Sequence, residues 1–137
     1  MVSRIIEIDG LKLLDGGIAD SVPLKYFEGI GYRKNVVILT QPKGFVKEKN
    51  SLLPLLRIAL RKYPLTVKAL AERHIDYNET MKYISEREKS GDILVIRPPV
   101  ALEISPINHD PEKMRKIYAI GRETALKELD RIKSFMK

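Results

Sequence analysis

Two short apolar runs constrain the fold of this chain more than any other feature. Asn35 to Gln41 reads NVVILTQ, and Asp92 to Ile96 reads DILVI. Each is strand-sized. A strand with one wet face alternates apolar and polar residues, whereas a nearly unbroken apolar run suits a strand covered on both faces, as in a parallel sheet. Strands of this kind alternating with helical segments imply an α/β layered fold with a mostly parallel sheet.

The remaining segments read consistently with that class. Residues 4–14 predict a β-hairpin, because Arg4-Ile5-Ile6-Glu7-Ile8 and Leu11-Lys12-Leu13-Leu14 flank Asp9-Gly10, a favoured two-residue turn. Pro23 opens a short helix with Leu24, Phe27 and Ile30 on its apolar face, ended by Gly29 and Gly31, with Asp20 or Ser21 as its cap. Leu52 to Tyr63 reads as a basic amphipathic helix, and Pro64 divides it from a second running from Leu65 to about Lys89. Asp110-Pro111-Glu112 supplies a cap, a proline at the first position and an acidic first turn for a last helix that reaches about Phe135.

Composition excludes several function classes. With 44% hydrophobic and 31% charged residues, the 137-residue chain has ordinary globular composition and fits one domain over 1–137. No segment approaches the run of roughly 18 apolar residues that a membrane span needs. Glu7 interrupts the N-terminal stretch, which is not a signal peptide, so the chain is expected in the cytoplasm or peripherally on a membrane. There is no cysteine, which excludes disulfides, thiol catalysis and thiolate metal sites. His74 and His109 lie far apart, and neither a metal nor another cofactor is expected. A net charge of +7 suits an anionic surface, whether phospholipid or nucleic acid, and equally a solvated basic one.

Asp15-Gly16-Gly17 carries the sharpest chemical content. It follows a strand, where α/β folds place reactive groups. Two glycines after the aspartate leave the carboxylate with little steric cover and let another segment approach. An isolated turn of this sequence is usually only a turn. Its surroundings, however, give Glu7-Ile8-Asp9-Gly10 and then Leu14-Asp15-Gly16-Gly17-Ile18-Ala19-Asp20-Ser21-Val22-Pro23-Leu24.

That string resembles the aspartate segment of the patatin-like phospholipases. Val36-Val37-Ile38-Leu39-Thr40-Gln41-Pro42-Lys43-Gly44 resembles the strand and turn that follow in the bacterial branch. The same holds for Arg73-His74 with Tyr77-Asn78, for Val95-Ile96-Arg97-Pro98 and for Asp110-Pro111-Glu112-Lys113 with its helix. The resemblance covers nearly all 137 residues. It implies the C-terminal part of a patatin-like catalytic domain, with the layered fold of the lysophospholipase and acyl-carrier transacylase type. It also implies a lipid acyl-ester hydrolase in which Asp15 is the aspartate of a serine–aspartate dyad and Gly16 and Gly17 support its turn. A serine hydroxyl is a poor nucleophile until an adjacent base takes its proton. None of the eight glycines lies in a Gly-x-Ser-x-Gly elbow, and the glycine-rich oxyanion loop is absent too. Both precede the aspartate in that family. The chain by itself is therefore expected to be inactive, with a lipid ester as substrate only of the intact enzyme.

Other candidates are weaker. Ser3, Ser21, Ser51, Ser85, Ser90, Ser105 and Ser134 lack an elbow. His74, Tyr77 and Asn78 read as a hydrogen-bonded packing cluster before they read as a site wall. Arg97 is a candidate contact for an anionic headgroup and equally a partner for a carboxylate. Arg57, Arg61, Lys62, Lys68 and Arg73, interleaved with leucines, suit docking on an anionic membrane or a solvated surface helix. No zinc-finger, helix-turn-helix or RNA-recognition signature supports nucleic-acid binding. The apolar runs predict self-association or pairing with a missing N-terminal half. The alternative function is a non-catalytic accessory or binding protein built on the same fold.

Overall fold

A computed structural model describes residues 4–102 and 110–137; Ser3, Ser105 and His109 lie outside the described residues. The chain divides into two compact units, where the sequence reads as one piece. One gathers Leu24–Phe45 with Ile84–Lys137; the other gathers Val46–Tyr83 with the residues before Leu24.

The unit that includes the N-terminal segment opens with the expected hairpin. Strands β1 (Ile6–Ile8) and β2 (Leu11–Leu13) pair antiparallel, with Ile6 opposite Leu13 and Ile8 opposite Leu11. Asp9 at φ 51° and Gly10 at φ 76° make the mirror-image turn whose twist matches the strands. A single 3-10 turn follows at Gly16–Ile18. Helix α2 (Leu53–Ala59) buries Leu53 and Leu56, and Leu60 at its end is buried too. Its expected length to Tyr63 is cut to seven residues, because Pro64 needs its predecessor outside the α region. Pro64 instead starts helix α3 (Pro64–Ser90), whose residues up to Tyr83 belong to this unit.

The second unit holds the parallel pair. Strands β3 (Asn35–Ile38) and β4 (Ile93–Ile96) pair in register from Asn35 opposite Ile93 to Ile38 opposite Ile96. All four β4 residues are buried. Val37, Leu39 and Ile84 join them in the core, with Ile84 only 1% exposed. Gly91 at φ 79° closes α3 and turns the chain into β4, and a side chain there would be strained. Arg87 locks this corner by bonding Glu28 at 2.9 Å and Asp92 at 2.7 Å.

Several expectations are corrected here. β3 ends at Ile38, not Gln41, and it is not covered on both faces, since Ile38 is 74% exposed. Its composition asks for cover that the two-stranded sheet does not supply. Helix α1 (Leu24–Gly29) buries only Leu24, leaving Phe27 and Ile30 exposed. Asp20 does not cap it, but accepts the N–H of Val22 in a local turn. The last helix is divided into α4 (Pro111–Lys127) and α5 (Leu129–Met136) at Glu128, with Asp110 capping α4 through the N–H of Glu112.

Candidate functional site

The chain leaves β2 through half-buried Leu14 and reaches Asp15, whose side chain is exposed. Asp15 caps the 3-10 turn, its Oδ1 accepting the Gly17 N–H at 2.9 Å. The N–H of Ile18 closes the turn on the Asp15 carbonyl at 3.1 Å. A carboxylate held this way keeps one oxygen oriented by the backbone.

Helix α3 supplies the brace. Arg73, 56 residues away, donates Nε–H to the Gly17 carbonyl at 2.8 Å, and the Ser21 hydroxyl donates to the same oxygen at 2.8 Å. Both lone pairs of that carbonyl are thereby used. A Cβ on Gly17 would come within 3.3 Å of Asp15 Oδ1 and 3.5 Å of Arg73 Nη2, whereas one on Gly16 would meet nothing within 4 Å. The glycine that permits close approach is Gly17.

Behind Arg73, α3 clamps the loop that carries Lys47. Asn78 Oδ1 accepts the Lys47 N–H at 2.8 Å, and its amide donates back to the Lys47 carbonyl at 3.0 Å. The Lys47 ammonium lies 4.8 Å from the centre of the Tyr77 ring, a cation–π arrangement. Burial lowers the Lys47 pKa from its ordinary value, and the like charge of Arg73 lowers it further. Burial also raises the Tyr77 hydroxyl. The His74 Nδ1 is buried without a hydrogen-bond partner among the described residues. The expected hydrogen-bonded cluster of His74, Tyr77 and Asn78 is thus a clamp at Asn78, while His74 Nδ1 stands outside it.

Arg73 borders two hollows. One, of about 130 Å³, lies against Ile18 to Ser21 with Asp76, Tyr77 and Thr80. The other, of about 250 Å³, is lined by Lys47, Glu48, Asn50, Leu70, Arg73 and His74. Among the described residues no cluster of three or more His, Cys, Asp or Glu could hold a metal ion. Also among them, no helix is long and apolar enough to cross a membrane.

In the other unit Arg97 Nη2 bonds Glu88 Oε2, so its guanidinium is engaged by a carboxylate. A mostly apolar hollow of about 230 Å³ opens at the C-terminal ends of the strand pair, between Ile38, Leu39 and Ile96 and the α4 residues Ile117, Ile120 and Thr124.

Residues 63–137 match a domain of unknown function, DUF6363. The chain belongs to this family. The DUF6363 region begins one residue before α3 and includes Arg73, His74, Tyr77, Asn78 and Arg97, while Asp15 and Lys47 lie before it. The brace therefore comes from the DUF6363 region, and the braced turn from the segment preceding it. No curated protein and no solved structure matches the chain.

The sequence singled out Asp15, Gly16, Gly17 and Arg97, together with the cluster at His74. It did not single out Lys47, because one lysine in a polar loop carries no periodic signal. The Arg73–Gly17 bond was equally hidden. The i, i+4 pairs Arg73/Tyr77 and His74/Asn78 were the available signal, since such residues share a helix face.

Proposed function

We propose that the chain is the aspartate-bearing C-terminal portion of a patatin-like serine–aspartate hydrolase acting on lipid acyl esters. The observation that carries this reading is the Asp15 turn, an exposed carboxylate fixed by Gly17 and braced by Arg73. A base must be held where an incoming hydroxyl can reach it. Exposure, backbone orientation and a rigid brace meet that need. The parallel pair adds support. Two parallel strands with an exposed Ile38 resemble part of a larger sheet, since parallel sheets are ordinarily covered on both faces. Asp15 would accept the proton of a serine hydroxyl supplied from outside this chain as that oxygen attacks the ester carbonyl.

The test joins the chain to the reading frame immediately upstream of its Met1 codon. The joined protein is expected to hydrolyse p-nitrophenyl acyl esters, and Asp15→Asn to lower turnover by about 10²–10⁴-fold with an unchanged circular dichroism spectrum. Unchanged turnover in Asp15→Asn would remove Asp15 from the mechanism. The chain alone is expected to show none.

The alternative, an accessory protein derived from the same fold, rests on a different observation: the sequence contains no Gly-x-Ser-x-Gly. An upstream frame that lacks this motif favours it.

A further inference from the structure

The hollow behind Arg73 has a composition that the hydrolase reading does not use. Lys47 and Arg73 are both half-buried, and among the described residues neither forms an ion pair. Arg73 donates through Nε to the Gly17 carbonyl, and neither Nη atom has an acceptor among the described residues. Lys47 is held at its backbone by Asn78, and its ammonium rests 4.8 Å from the centre of the Tyr77 ring, a contact that leaves its N–H donors without a carboxylate among the described residues. Burial disfavours the Lys47 ammonium, and the like charge of Arg73 disfavours it further. The depressed Lys47 pKa reflects both effects. Glu48 also borders the hollow, but it is exposed and pairs with neither cation. His74 also lines the hollow.

We infer that the Lys47–Arg73–His74 hollow is a binding site for a phosphate group. A tetrahedral dianion offers separate oxygens to an ammonium and to a guanidinium fork, and it relieves the repulsion between them. The volume of about 250 Å³ exceeds the roughly 30 Å³ share of one water several-fold, which admits such a group with part of its hydration. The chemistry is shared by inorganic phosphate, soluble phosphomonoesters and phospholipid headgroups. The site does not depend on Asp15 being a base, and it stands or falls on the chain alone.

Calorimetric titration of the full chain with inorganic phosphate, at ionic strength fixed with chloride, tests it. Saturable binding is expected, weakened about tenfold by Lys47→Gln, restored by Lys47→Arg and unaffected by Lys49→Gln. Lys47→Gln keeps the backbone clamp, and its circular dichroism spectrum checks that the fold is retained. A nitrogen-15 spectrum should show the His74 ring resonances moving with phosphate and not with chloride. A second arm uses phosphatidylglycerol vesicles against phosphatidylcholine vesicles. Vesicle binding that needs Lys47 and is competed by phosphate assigns the headgroup as source; soluble binding without vesicle binding assigns a free phosphate. Absence of phosphate binding, or binding equal in wild type and Lys47→Gln, overturns the site and leaves the Asp15 reading untouched.

Discussion

The two sheets among the described residues have the same number of strands but differ in pairing direction, sequence separation and burial. The β1–β2 hairpin forms between neighbours in sequence, around a turn whose residues demand it. Its apolar side chains remain in water, with Ile6 50%, Ile8 49% and Leu11 64% exposed. The β3–β4 pair joins strands separated by α2 and α3, and no local signal aligns them. Its second strand is nevertheless buried at every residue. Local turn chemistry can build a hairpin without burying it, whereas a pairing distant in sequence persists because burial offsets the cost of closing the loop.

The largest effect expected from that contrast is at Leu94, 2% exposed in β4. Leu94→Ala should cost about 2–5 kcal/mol in urea unfolding, and Ile8→Ala in the hairpin about 0.5 kcal/mol or less. Equal costs would break the comparison, because the hairpin would then be covered in solution. Asn78→Ala comes next. It removes both bonds that tie Lys47 to α3 across 31 residues, an expected loss of about 1–3 kcal/mol with faster amide exchange at Lys47. A loss confined to exchange, with no change in global unfolding, would place this contact with the hairpin and not with the parallel pair. Gly10→Ala should cost about 1 kcal/mol, because an L-residue is strained at φ 76°. That cost should appear as faster exchange in β2 and leave β4 protection intact.

The smallest effect is in alkaline solution. Lys47 has a folded pKa below 10.5, so just below that pH the unfolded chain holds the proton more firmly, and stability rises with pH. Tyr77 is raised above 10.0, so beyond that pH the unfolded chain loses its proton first, and stability falls. Lys47→Met should remove the rising limb and Tyr77→Phe the falling one, read as urea midpoints between pH 9 and 11. Both limbs surviving would show that neither group is held as the clamp holds it.

Much of the fold was legible in the residues. Asp9-Gly10 specified a left-handed pair of turn residues, Pro64 the start of α3, and Asp110-Pro111 the start of α4, because each acts on its own backbone. The apolar runs marked both parallel strands. Neither the break at Glu128 nor the exposure of Ile38 and Phe27 could be read, since a side chain's burial depends on what lies opposite it. At the site, Asp15 was visible through the resemblance of its surrounding segment, but its brace was not. Arg73 reaches Gly17 only because the fold brings α3 beside the turn.

The α/β class, the hairpin and the helix starts follow from local dihedral preference and apolar spacing, and the choice of Asp15 as candidate carboxylate follows from the resemblance of the segment around it. It took the folded chain to show that Gly17 and not Gly16 is the crowded glycine, that Arg97 meets Glu88, and that Lys47 and Arg73 share a hollow without a counterion among the described residues. Those facts depend on distances between residues remote in sequence, and such distances are set by packing rather than by any residue's own conformational preference.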